Sequence, residues 1–250
     1  MKYSAKSILA ARKKANQPSV STAESPDLTR KISYSQSGED IIVDFLFSAM
    51  LNINEVSYLD IGANDPIDLN NTYFFYKKGF TGVCVDPNPF FKDAYKLSRP
   101  GDTHVLAGVG PKKGNLKFFE VNPHTLSTFS EESARQFVEE DGHEIVRTYK
   151  VPVMTLDQII NRYFKESALP NFLNLDVEGW DYEIIKSAKF KNWRPTVVCI
   201  ETVTYSTKKE QEKIVPLFKL LEDHGYFAYA DTFINTIFVD KDVWEKRRQR

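Results

Sequence analysis

Residues 57–66 read SYLDIGANDP: a short apolar run, then an aspartate, then a turn carrying the single glycine Gly62. A strand entering a glycine turn predicts the first strand–turn–helix unit of a layered α/β domain. The rest of the chain repeats the theme. Apolar runs at 56–60, 81–86, 103–108, 172–177 and 195–201 predict five strands, with a further extended piece at 115–121. Between them lie helical patterns. Ile41, Ile42, Phe45, Leu46 and Ala49 recur at helical spacing behind Ser37-Gly-Glu-Asp40, a capping-box pattern. A helix is expected over 69–78, closed by Gly79, and Asn88-Pro89 supplies the cap and first residue of the next. Thr155-Leu-Asp-Gln158 is a second capping box, opening a helix through Ile159, Ile160 and Tyr163. Ile184, Ile185 and Ala188 mark another helix. Ile214, Leu217, Phe218 and Leu221 mark the last, with Pro216 at a kink or at its real start and Gly225 at its end. Runs at 226–230 and 234–239 predict a closing hairpin.

Strands alternating with helices imply a mostly parallel sheet with helices on both faces, and the hairpin adds an antiparallel strand at one edge. The expectation is one domain over 34–250 behind a flexible basic arm, 1–33. Residues 122–150, polar and irregular, are expected as a variable lid or acceptor wall. A formal net charge of −1 provides no basic field for nucleic acid. Cys84 and Cys199 sit in apolar runs without metal-ligand spacing, as expected of buried, reduced thiols in a cytoplasmic protein. No membrane-spanning apolar run and no signal peptide is expected. Oligomeric state is not legible.

Ligands of such sheets lie beyond the carboxyl ends of the strands, where strand order reverses. That rule singles out Asp60, Gly62, Asp86, Gly108, Asp176, Glu178 and Glu201. A dinucleotide turn needs G-x-G-x-x-G so that a pyrophosphate lies on bare backbone. Here only Gly62 allows close approach, Asp65 repels phosphate, and no G-K-[ST] follows. The turn fits a nucleoside ligand that lacks a pyrophosphate and carries positive charge, such as S-adenosylmethionine (SAM). Asp86 is then placed for ribose hydroxyls. The plainer alternative stays open: Gly62 permits a tight turn and the aspartates cap helices.

Further motifs bear on the choice. The stretches YSQSGED (34–40), LDIGAND (59–65), NTYFFYKKGFTGVCVDPNP (71–89), VPVMTLDQII (151–160), FLNLDVEGWDYEIIKSA (172–188) and VVCIE (197–201) resemble the FkbM family of SAM-dependent methyltransferases, in order and spacing. The resemblance implies a seven-stranded class I (Rossmann-like) methyltransferase fold and methyl transfer to a hydroxyl oxygen of a sugar, glycan or other small metabolite. It implies Asp60, Gly62 and Asn64 on the methionine side of SAM and Asp86 at the ribose. Asp176 would lie near the methionine amine or the acceptor, and Gln36 and Glu39 would close over the methionyl end. Two features depart from related enzymes. Pro66 stands where many continue with glycine, and Ala107-Gly108 offers no side chain for adenine, leaving backbone groups to serve.

A hydroxyl acceptor needs a base. His124, in the irregular segment, is the first candidate; Asp176 and Glu178, with Glu201 at the next strand end, are the second. The carboxylates also suit a divalent cation, but without a third well-spaced ligand no metal is expected. His143 reads as solvated, His104 as structural, His224 as a helix C-terminal residue whose charged form the helix favours, and Trp180 as a core or edge aromatic. Competing readings are a nucleotide-dependent oxidoreductase, opposed by the missing glycines, and an idle SAM-fold binding module, opposed by the intact acidic strand ends.

Overall fold

The structure, a computed structural model, describes residues 31–177, 179–204 and 211–249. The expected basic arm therefore lies outside the described residues up to position 30. Lys31 and Ser33, at its expected end, are tied to the body: Lys31 Nζ lies 2.8 Å from Asp44, and the Ser33 hydroxyl donates to Asp40 at 2.6 Å.

In chain order the strands are β1 (Ser57–Ile61), β2 (Thr81–Val85), β3 (Thr103–Val105), β4 (Gly108–Val109), β5 (Gly114–Asn122), β6 (Glu144–Met154), β7 (Phe172–Leu175), β8 (Val197–Glu201), β9 (Tyr226–Asp231) and β10 (Asn235–Asp240). Seven form the main sheet in the order β3-β2-β1-β7-β8-β10-β9. The first five of these run parallel, and β10 is antiparallel to both β8 and β9. The closing hairpin thus forms, but its reversed strand is inserted one place inside the edge, and β9 takes the edge itself.

Because both faces of a parallel sheet are covered, its strands are apolar throughout, and the two-residue period sorts them between two cores. Leu59, Ile61, Val83, Val85, Leu173 and Leu175 face one core. That side is covered by α5 (Leu156–Tyr163), α6 (Asp181–Ser187) and α7 (Val215–Asp223), through Ile159, Ile160, Ile184, Ile185, Leu217 and Leu221. Tyr58, Cys84, Phe172, Val197 and Cys199 face the other, with Val43, Leu46 and Phe47 from α1 (Glu39–Phe45) and the π-helical turn that continues it. Phe75 of α2 (Tyr73–Lys77) and Tyr95 of α3 (Lys92–Ser98) complete that layer. Both cysteines are buried and free.

The capping box at Thr155–Gln158 forms with both reciprocal hydrogen bonds. The one expected at 37–40 does not: Gly38 is the N-cap, at φ +91°, and Glu39 turns back to accept from the Ser37 amide. Pro216 marks the start of α7 rather than a kink. The expected third strand divides, since β4 leaves the main sheet to pair with β6 in a second sheet ordered β4-β6-β5. Residues 122–150 are more regular than expected. They hold α4 (Glu131–Glu139), capped by the Ser130 hydroxyl and packed through Ala134 and Phe137, and most of the length of β6. A final helix, α8 (Lys241–Lys246), was not legible in the sequence.

His104 is structural. Its ring stacks on Tyr95 at 4.1 Å, and its Nε2 is buried without a hydrogen-bond partner among the described residues. Burial, reinforced by Arg99 and Lys92, pushes its pKa down to about 4. An unfolded histidine titrates at about 6.5, so the unfolded chain takes the proton first. The stability His104 contributes is complete above about pH 6.5 and is lost as pH falls towards 4. His104→Phe is expected to show a shallower fall in Tm over that window than wild type. Identical slopes would remove His104 from the acid response. His224, at the end of α7, does not follow the helix-terminus expectation: burial and nearby Arg194 push it down.

Candidate active site

A cleft of about 470 Å³ opens at the carboxyl ends of β1, β2, β7 and β8, where strand order reverses between β1 and β7. Its size is that of a small-molecule or cofactor site.

Gly62 sits at its floor at φ +75°. A Cβ there would lie 1.6 Å from the Asp176 carbonyl oxygen, so glycine is required by backbone shape and by contact alike. The Gly62 and Ala63 amides both donate to Val85 O, and the Asp176 amide donates to Ile61 O. These bonds carry the ladders past the strand ends and hold three loops in register.

Asp86 is buried at the end of β2. One carboxylate oxygen accepts from the Asn64 amide at 3.0 Å and the other from the Asn88 amide at 2.7 Å. Burial raises its pKa to about 6 against the pull of those two bonds. Asn64, at φ +44°, and Asp86 both line the cleft, as do Gln36, Gly62, Gly108, His124 and Asp176.

Two other expected cofactor residues lie elsewhere. Asp60 is fully buried beneath the turn, on the α1–α3 side, where it faces Asn174 across the ladder. Thr72 Oγ1 donates to one of its oxygens at 2.6 Å and Asn174 Nδ2 to the other at 2.8 Å. Glu39 is buried as well; Thr232, Asn235 and the Ser37 amide all donate to it. Burial raises its pKa, but those hydrogen bonds outweigh it and the net shift is downward. Glu39 therefore anchors the segment that brings Gln36 to the cleft.

Asp176, at the end of β7, shares a hydrogen bond with Glu201 of β8. Burial and the nearby Asp60 charge push the Asp176 carboxyl up, while the bond to Glu201 pulls the other way. Asp181, at the start of α6, accepts from the Val177 and Gly179 amides. Glu178 lies outside the described residues. Trp180 packs against the β1–β7 core beside Gly110 and does not line the cleft.

His124 stands on the Asp86 side. Its ring stacks on Phe90 at 3.8 Å, and its Nδ1 lies 3.4 Å from Asn88 Nδ2 and 3.8 Å from Glu120. Burial lowers its pKa; Glu120 partly opposes this. Gly108 is covered by Phe129, whose ring would meet an added Cβ at 2.4 Å. A side chain from the 122–150 segment therefore walls the place where backbone alone was expected. The parts of this site not legible in the sequence are Phe129, the Asn88–Phe90–His124 cluster and the buried layer beneath the turn. The Asn88 cap and His124 were visible singly, but not their contact.

Among the described residues, no group of three or more His, Cys, Asp or Glu side chains is arranged to hold a metal ion. No described helix is long and apolar enough to cross a membrane.

Residues 60–228 match the family described as the Methyltransferase FkbM domain, well over half of the chain, and the protein belongs to that methyltransferase family. No match was found among curated proteins or among solved structures.

Proposed function

We propose that this methyltransferase takes its methyl group from SAM and transfers it to a hydroxyl oxygen of a sugar, glycan or other small hydroxylated metabolite. The observation that carries the donor assignment is Asp86. Each of its oxygens accepts one backbone N–H and keeps acceptor capacity for two ribose hydroxyls, one strand from the bare backbone of Gly62. Asp65, Asp68, Asp86, Asp176 and Glu201 all line the cleft, a poor setting for a pyrophosphate and a good one for a cationic donor. Gly62, Asn64 and Gln36 would hold the methionine half, and Gly108, Phe129 and His124 the nucleoside half.

When bound, SAM supplies a methyl group on a positively charged sulfur, open to in-line attack. The protein's own part is to orient the acceptor and take its proton. We assign that proton to the Asp176–Glu201 pair rather than to His124. β2 and β7 flank β1 on opposite sides, about 10 Å apart at a spacing of roughly 4.8 Å per strand. His124 packs on Phe90 and Asn88, beyond β2, whereas the pair ends β7 and β8 on the other side of β1. The cytoplasm is the proposed compartment, supported by two buried, free thiols.

Calorimetry is expected to show S-adenosylhomocysteine binding and no NADH binding. Asp86→Ala should weaken the former by about 1.5–3 kcal/mol, the loss of a charged hydrogen-bond partner. NADH binding without S-adenosylhomocysteine binding would replace this reading with an oxidoreductase. Transfer from tritiated SAM across nucleotide sugars and glycans, with and without EDTA, identifies the acceptor class and tests for a metal.

A further inference from the structure

Arg99 ends α3 and is the bulkiest of the fully buried side chains, with its guanidinium inside the layer below the cleft. Its Nε pairs with Asp102 at 2.7 Å, and both side chains are wholly shielded from solvent. The rings of Tyr58, Tyr73, Tyr76 and Tyr95 surround it at 5.4–5.9 Å. Burying a guanidinium is costly unless its donors are used, and here the remaining ones are spent on Tyr58 and on the segment 66–72. Nη2 donates to Thr72 Oγ1 at 2.9 Å as well as to the Tyr58 hydroxyl at 3.1 Å. Nη1 donates to Asn70 Oδ1 at 3.0 Å and to the Pro66 carbonyl at 3.3 Å.

Asn70 is the relay. Its Oδ1 accepts from Arg99 and from the Thr72 and Tyr73 amides. Its Nδ2 donates to the carbonyls of Ala63 and Asp65, at 3.1 Å each. Those two carbonyls bracket Asn64, whose amide holds Asp86. A rigid fork spreads five donors over Asp102, Tyr58, Thr72, Asn70 and Pro66, whereas an ammonium carries three donors on one nitrogen.

We propose that Arg99 is a positioning residue for the donor site, setting through Asn70 the turn 63–65 whose Asn64 amide orients Asp86. The inference rests on the assignment of SAM as donor. It is tested by calorimetry of S-adenosylhomocysteine on the full chain and by amide hydrogen exchange. Arg99→Lys is expected to weaken binding by roughly tenfold to a hundredfold, the scale of a misplaced binding group. Asn70→Asp keeps an acceptor for Arg99 and removes the two donors to the turn, and should do the same; it decides the matter if Arg99→Lys does not fold. In both variants the Asn64 amide exchanges faster while the Val198 amide, within β8, does not. Leu217→Ala, which opens a cavity in the opposite core, supplies a destabilised reference that should bind like wild type. Folded Arg99→Lys or Asn70→Asp with wild-type affinity overturns the proposal, as does an equal loss in Leu217→Ala. A wild-type protein that does not bind S-adenosylhomocysteine overturns the donor assignment itself.

Discussion

Asp176→Asn is expected to slow methyl transfer by roughly 10²–10⁴-fold, the usual contribution of a positioned base. The amide keeps the size and one acceptor of the carboxylate but cannot take a proton. S-adenosylhomocysteine affinity should stay near wild type, which separates a base from a donor contact. If affinity falls instead and turnover at saturating donor survives, Asp176 belongs to the donor's amino group. The pH profile gives an independent reading. Burial and the Asp60 charge hold the Asp176 carboxyl above its ordinary range, in a pair hydrogen-bonded to Glu201. The pair must shed its last proton before accepting another, so the wild-type rate should rise with pH through that raised titration. Asp176→Asn should lose this limb. His124→Ala tested beside it discriminates further: on the proposed roles it alters donor affinity, and if it removes the rising limb instead, the base is His124.

Gly62→Ala should have the largest effect on the folded state. The added methyl would meet the Asp176 carbonyl oxygen at 1.6 Å, and no rotamer change relieves a backbone clash. The φ of +75° adds strain for any residue with a Cβ. Relief requires β1 and β7 to part where the Asp176 amide bonds Ile61 O. A loss of more than about 4 kcal/mol is expected, seen as a Tm lowered by roughly 8–16 °C, with donor binding lost. Gly114→Ala is the matched comparison, since a Cβ there meets nothing within 4 Å. It should leave Tm within about 2 °C of wild type. A Tm for Gly62→Ala as close as that would mean that the turn relaxes without cost.

The parallel sheet was legible because its evidence is local. Strands buried on both faces read as unbroken apolar runs, and the turns between them carry Gly, Asn and Asp at fixed offsets. The capping box at 155–158 was legible for the same reason: both partners lie within four residues. Gly62 and Asp86 stood out at strand ends, and the cleft contains both.

Other features depend on pairing over distance. The failed capping box at 37–40 lost to tertiary contacts, as Glu39 is held by Thr232 and Asn235 nearly two hundred residues away. The 122–150 segment looked irregular because β6 gains its order from β5 and β4, not from its own pattern. Asp60 illustrates the limit most clearly. Alternation puts it on the face opposite Leu59 and Ile61, but both faces of this sheet are buried, so parity alone cannot say which aspartate meets the ligand. Sequence by itself determined the layered fold, the family and the strand ends that line the cleft. Only the tertiary structure decided which carboxylates open into the cleft and which are spent beneath it. Strand and helix periods are properties of a single segment, whereas the direction a buried polar group faces is set by the partners that satisfy it.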